Sequence, residues 1–161
     1  MKKLKIVATG GTFDYIHIGH LKLLSVAFDK GKHVIIGLTS DDFVKKFKRT
    51  SNIKNNYETR YYNLERKILE TFGSINYNII KLEDEFGPVI SSSDIEAIVV
   101  SEETLVKVKD INKIRINNHL APLSVIVVEI AKSQDGKPIS STRIRNGEID
   151  SKGKILRKPS S

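Results

Sequence analysis

Leu4-Lys5-Ile6-Val7-Ala8-Thr9-Gly10-Gly11-Thr12-Phe13-Asp14-Tyr15-Ile16-His17-Ile18-Gly19-His20 opens on an apolar run and closes on a pair of histidines. Residues 4–8 read as a buried first strand, and Gly10-Gly11 allows a tight turn with close backbone approach. Leu21, Leu24, Ala27 and Phe28 then recur at helical spacing, so the histidines open a helix. At i and i+3 they share one face of its first turn, beside backbone N–H groups with no helical partner and at the positive end of the helix dipole, where an anion is favoured. The stretch therefore reads as a cradle for a nucleotide triphosphate. It lacks both the Gly-Lys-Ser/Thr ending of a Walker A loop and the GxGxxG spacing of a dinucleotide fingerprint, so the cradle is of a different kind.

The 161 residues suit one domain with a core of its own, expected over 1–153 with a basic, mobile tail at 154–161. No apolar run approaches roughly 18 residues, and Met-Lys-Lys leads into a strand and not into a signal peptide, so a soluble, cytoplasmic protein is expected. The absence of cysteine excludes disulfides, thiolate catalysis and cysteine metal sites. A net charge of +8 suits small polyanions such as ATP and pyrophosphate as well as nucleic acid. The basic residues are scattered and no nucleic-acid motif is present, which favours the small polyanions.

Further strands are expected at 33–38, at Tyr77–Leu82, at 95–100 and at 123–128, with helices after Asp42, over Tyr57–Phe72 and over 103–119. Ile- and Val-rich strands alternating with helical patterns predict an α/β fold: a Rossmann-like, doubly wound, five-stranded parallel sheet covered on both faces. In such sheets ligands sit at the carboxyl ends of the strands where strand order reverses, which brings the Gly10 loop, the Thr39 turn and the Ser101 turn to one crevice. Residues 46–56, rich in Lys, Asn and Ser, read as a mobile loop over it.

Near the other end, Ile139-Ser140-Ser141-Thr142-Arg143-Ile144-Arg145 follows a Gly-Lys-Pro turn and starts another helix. Its hydroxyls either cap that helix or bind phosphate oxygens, with arginines in the next turn adding charge-assisted bonds. His17 and His20 are open to the same two readings. A metal pair is disfavoured, because no third ligand is evident and a zinc helix spaces its histidines i and i+4. Asp14 either orders its loop or binds Mg²⁺, and Lys45, Lys46, Lys48 and Arg49 form either a solvated face or a phosphate contact.

In Gly10-Gly11-Thr12-Phe13-Asp14, His17-Ile18-Gly19-His20 and the ISSTxxR pattern beginning at Ile139, the chain resembles the nucleotidylyltransferase superfamily, whose members share the HUP-type α/β fold. Val99-Val100-Ser101-Glu102-Glu103-Thr104 and Ile111-Asn112-Lys113-Ile114-Arg115 narrow the resemblance to the archaeal phosphopantetheine adenylyltransferases and the equivalent domain of eukaryotic coenzyme A synthases. It spans residues 4–153. Bacterial enzymes of this activity carry threonine where this chain has His17, and an arginine-rich segment where it has Ser101-Glu102-Glu103-Thr104.

The resemblance implies adenylyl transfer from ATP to 4′-phosphopantetheine, giving dephospho-coenzyme A and pyrophosphate, with Mg²⁺ held mainly by the ATP phosphates. It implies His20 at the transition state, and a phosphate-contacting lysine that matches Lys45, or Lys48 one turn on. Gly10, Gly11, Thr12 and Phe13 would form the backbone cradle, with Thr12 also holding the acceptor phosphate. His17, Ile139, Ser140, Ser141, Thr142 and Arg143 would hold the triphosphate, and Ser101 and Glu102 would face adenosine. Asn112 and Arg115 join the nucleotide site through the family pattern. A different acceptor, such as FMN, glycerol phosphate or nicotinamide mononucleotide, and a non-catalytic nucleotide- or RNA-binding module are the competing expectations.

Overall fold

The computed structural model describes residues 2–47 and 53–156, with only the backbone of Phe47. Its order is β1 (Leu4–Gly11), α1 (Ile18–Lys30), β2 (Gly31–Thr39), α2 (Asp41–Phe47), α3 (Tyr57–Phe72), β3 (Tyr77–Leu82), a 3-10 turn (Gly87–Ile90), β4 (Ile95–Ser101), α4 (Leu105–Asn117), β5 (Ser124–Val128) and α5 (Ser141–Arg145). The five strands are parallel in the order β3-β2-β1-β4-β5. The α/β reading and the strand positions hold. Strand order reverses beside β1, which puts the Gly10-Gly11 end at the switch point.

Period-two alternation divides the core between the two faces of the sheet. Val7, Ala97 and Val99 pack with Val34, Ile36 and Leu38 against Leu24, Ala27 and Phe28 of α1 and Leu64 and Ile68 of α3. Their strand neighbours Ala8, Ile98 and Val100 point the other way, onto Val89 of the 3-10 turn and Val108 and Ile111 of α4. On α3 the buried stripe is Arg60, Leu64 and Ile68, while Leu69 is exposed. Asn56 caps this helix through the Thr59 N–H and Gly73 ends it at a φ of 72°.

β1 runs on through the glycines expected to form a turn. Gly10 and Gly11 pair with Gly37 and Leu38 of β2, and a Cβ on Gly10 would lie 2.9 Å from the Gly37 carbonyl oxygen. Close strand approach is what demands glycine here. The turn follows at Phe13, whose φ of 50° is unusual for a side-chain-bearing residue. Of the loop expected at 46–56, residues 48–52 lie outside the described residues. Residues 53–56 are held down by bonds from Lys54 and Asn55 to Asp14. Of the expected tail, 157–161 likewise falls outside, whereas Lys154, Ile155 and Leu156 bond to Asp150, Gln134 and Glu148.

Asn112 and Arg115 correct the expectation that they contact nucleotide. Asn112 spends its amide on both backbone groups of Leu123. Arg115, 2% exposed, donates to the carbonyls of Ala121, Val89, Ser92 and Ile95. A guanidinium whose donors are used on main-chain oxygens has little left for a ligand. Here it binds α4, the 3-10 turn and the start of β4 together. Arg115→Ala should destabilise the fold by about 3 kcal/mol or more, since those buried carbonyls lose their donors. Urea unfolding measures the loss.

Candidate active site

A cleft of about 570 Å³ opens over the carboxyl ends of the strands. Gly10, Gly11, Thr12, Phe13, His17 and His20 line one side of it, and Ile139, Ser140, Ser141 and Thr142 line another. Ser101 contributes from the end of β4, and Glu103 and Thr104 lie in the wall beside it. Eleven of the residues expected at the site therefore share one cavity, although more than a hundred positions separate the two motifs.

The two histidines form a reciprocal cap at the start of α1. His17 Nδ1 accepts from the Gly19 N–H at 3.0 Å, and His20 Nδ1 accepts from the His17 N–H at 3.2 Å. Their rings stack with centroids 3.8 Å apart, and Phe13 lies 4.9 Å from His20. Gly19 is obligatory, because a Cβ there would lie 2.9 Å from the His17 ring. An imidazole nitrogen that accepts carries no proton, so both rings are the Nε2–H tautomer and donate from the opposite edge. Burial pushes the pKa of His17 down to about 4, so it is neutral at pH 7. Local capping, one of the two readings open in the sequence, is formed by the Nδ1 edge of each ring, and both residues also line the cleft.

The hydroxyl motif is tied to the first motif directly. Ser141 Oγ donates to the Tyr15 carbonyl at 3.0 Å and accepts from the Tyr15 N–H at 3.3 Å. Ser140 caps α5 by accepting the Arg143 N–H. Beneath them Asp14, with a side chain 1% exposed, lies 2.6 Å from Arg145 and accepts from the Lys54 N–H and from both nitrogens of Asn55. Of the two roles open to Asp14, ordering the loop is the one its hydrogen bonds display.

Arg143 is a second correction. Its guanidinium bonds Asp135 at 2.6 Å, Glu148 at 3.0 Å, Ser133 Oγ and the Pro138 carbonyl, and it does not line the cleft. Asp135 is held at a pKa of about 2 by Ser133, the Lys137 N–H and Arg143 itself, which marks a structural knot. Among the described residues Arg145 is the arginine that lines the cleft, and its buried Nε has no hydrogen-bond partner there. The signal was in the motif: ISSTxxR counted from Ile139 ends on Arg145. Glu102 and Lys45 are exposed and lie outside the cleft lining. Lys48 lies outside the described residues.

The cytidylyltransferase-like family model matches residues 8–147. A phosphopantetheine adenylyltransferase of Methanothermobacter thermautotrophicus is 40% identical over 157 residues, 98% of this chain and 93% of that one. Another, from Thermococcus kodakarensis, is 44% identical over 155 residues, 96% of this chain and 93% of its own length. The chain belongs to the phosphopantetheine adenylyltransferase family. A crystal structure of an Archaeoglobus fulgidus protein of unknown function is 31% identical, covers 78% of this chain and 89% of that one, and superposes with a TM-score of 0.68. Membership in the phosphopantetheine adenylyltransferases is consistent with the nucleotidyl-transfer motifs meeting in one cleft.

Two outcomes follow from this geometry. Arg145→Ala should raise the KM for ATP by about tenfold or more, the usual scale for a lost charge-assisted bond, and should also lower the melting temperature because it leaves Asp14 unpaired, whereas Arg143→Ala should lower the melting temperature with little change in KM. Between pH 6.5 and about 4 an unfolded chain protonates His17 while the folded chain does not. Stability from this group is therefore complete above pH 6.5 and is lost as pH falls toward 4. His17→Asn keeps an acceptor for the Gly19 N–H without the titration. Between pH 7.5 and 4.5 the parent should lose roughly 2–3 kcal/mol more than this variant in urea unfolding.

Proposed function

We propose that the chain transfers the adenylyl group of ATP to 4′-phosphopantetheine, releasing pyrophosphate and forming dephospho-coenzyme A. The observation that carries this reading is the pair of Nε2–H imidazoles at the α1 N-terminus, in the same cleft as Thr12 and the Ser140-Ser141-Thr142 hydroxyls. Near-full-length identity of about two residues in five to enzymes bearing that activity supports the choice of acceptor over FMN, glycerol phosphate or nicotinamide mononucleotide. Leu82, Phe86, Val89, Val108 and Ile111 give the cleft apolar lining, which suits an acceptor with an extended organic tail.

An oxygen of the acceptor phosphate attacks the α-phosphorus of ATP, and the bond to the bridging α,β oxygen breaks as pyrophosphate leaves. A phosphomonoester with a second pKa of about 6 is already largely dianionic at pH 7, so no general base is required. What remains for the protein is in-line positioning and stabilisation of charge on phosphate oxygens. His20 donates Nε2–H to an α-phosphate oxygen as charge develops. His17, a neutral donor, the Ser140-Ser141-Thr142 hydroxyls and Arg145 hold the triphosphate. Thr12 holds the acceptor phosphate.

Among the described residues no three His, Cys, Asp or Glu side chains converge as metal ligands, and both oxygens of Asp14 are engaged by Lys54, Asn55 and Arg145. This donor set does not fit a resident cation. Mg²⁺ enters as part of the nucleotide substrate, on the triphosphate oxygens.

Pyrophosphate release from MgATP, measured with each of the four acceptors and with product identified by mass, tests the reading. Release with 4′-phosphopantetheine alone is expected; release only with another acceptor overturns the substrate, and silence with all four overturns the activity. His20→Ala should cut kcat by about 10²-fold or more. A melting curve taken alongside separates that loss from the lost cap on the His17 N–H.

A further inference from the structure

Arg60 is the largest side chain with no exposure at all, and it occupies a position in the otherwise apolar inner stripe of α3. It does not line the cleft. A buried cation costs several kcal/mol unless its donors are satisfied, and those of Arg60 are spent in an unusual way. Nε donates to the Asn55 carbonyl at 3.0 Å, Nη1 to the carbonyls of Thr12 at 3.0 Å and Thr39 at 2.8 Å, and Nη2 to Asp41 at 2.9 Å. Asp41, which also accepts the Tyr57 N–H, is held below the ordinary carboxylate pKa by these bonds against the opposing effect of burial.

The carbonyls belong to three separate segments bordering the cleft: the turn after β1, the end of β2, and the stretch entering α3. Thr12, Thr39 and Ile53 of those segments line the cavity itself. Thr39 Oγ1 also donates to Thr12 Oγ1 at 3.2 Å, so the two threonines are joined on the cleft side and through their carbonyls behind it. Asn55 is gripped from both sides, its carbonyl by Arg60 and its nitrogens by Asp14. Asp14 in turn holds Arg145. One planar fork thus sets the spacing among the Thr12 peptide, the end of β2 and the strap that reaches the triphosphate arginine.

We propose that Arg60 is a positioning residue for adenylyl transfer: from outside the cleft it sets the Thr12 turn and the 53–55 strap in the register that aligns acceptor phosphate with the α-phosphorus. The proposal rests on the adenylyl-transfer reading for its kinetic consequence. Lysine cannot replace the fork, because a single ammonium cannot reach three carbonyls and a carboxylate lying in different directions. Misalignment acts on the step in which the phosphates meet, more than on capture of ATP.

Arg60→Lys should lower kcat by ~10–100-fold while the KM for ATP changes by less than about threefold, in assays run well below the melting temperature. Hydrogen exchange should show lost protection at the Lys54 and Asn55 amides with the β-sheet amides retained. A purely structural role predicts a lower melting temperature with kcat unchanged in the folded protein, and that result would overturn the proposal. If Arg60→Lys does not fold, Asp41→Asn decides, since it loosens the fork from its partly exposed end: a lower kcat at an unchanged melting temperature supports positioning, and an unchanged kcat refutes it. A wild-type protein inactive with every acceptor would sink the adenylyl-transfer reading. The exchange data would still judge Arg60, with unchanged protection at 54–55 counting against it.

Discussion

The carboxylate of Asp14, buried under the floor of the cleft, is the point on which the site depends. Arg145 stands 2.6 Å away across a sequence separation of 131 residues, and Asn55 approaches from a third segment. Removing one partner of such a buried pair leaves the other uncompensated, at a cost of about 3–5 kcal/mol. The pair therefore joins the amino-terminal cradle to the carboxyl-terminal hydroxyl motif as firmly as a core contact would. Ser141 and Tyr15 add a second, neutral tie in the same place.

Around this point the fold brings imidazole, hydroxyl and guanidinium donors to one cleft. The histidines direct their accepting nitrogens to the backbone of their own helix turn. Arg60 and Arg115, both almost wholly buried, use their donors on main-chain carbonyls at the back of the site and beneath α4 respectively. Arg143 is neutralised by Asp135 and Glu148, so it braces the segment that carries α5. A chain of net charge +8 thus commits three arginines to construction and leaves Arg145 in the cleft wall.

Much of the cleft was legible because its parts are local. Gly10, His17, Gly19 and His20 act within one strand-to-helix turn, and Ser140 to Thr142 within another, so residue type and spacing carry their meaning. Arginine carries no such local mark. Arg60, Arg115, Arg143 and Arg145 are chemically alike in the sequence, and their roles depend on which carbonyls and carboxylates the fold brings within 3 Å or so of each guanidinium. The glycine pair was misplaced for a related reason: the turn it suggested is postponed to Phe13 because the Gly37 carbonyl of the neighbouring strand needs the room.

Apolar periodicity and the two phosphate motifs were enough, without coordinates, to specify a parallel five-stranded α/β sheet with a nucleotide cleft at its switch point, since hydrophobic spacing and turn chemistry act over a few residues. The tertiary structure alone decided which cations face that cleft and which are locked behind it. A buried arginine is defined by oxygens supplied from distant segments, and no short stretch of sequence contains them.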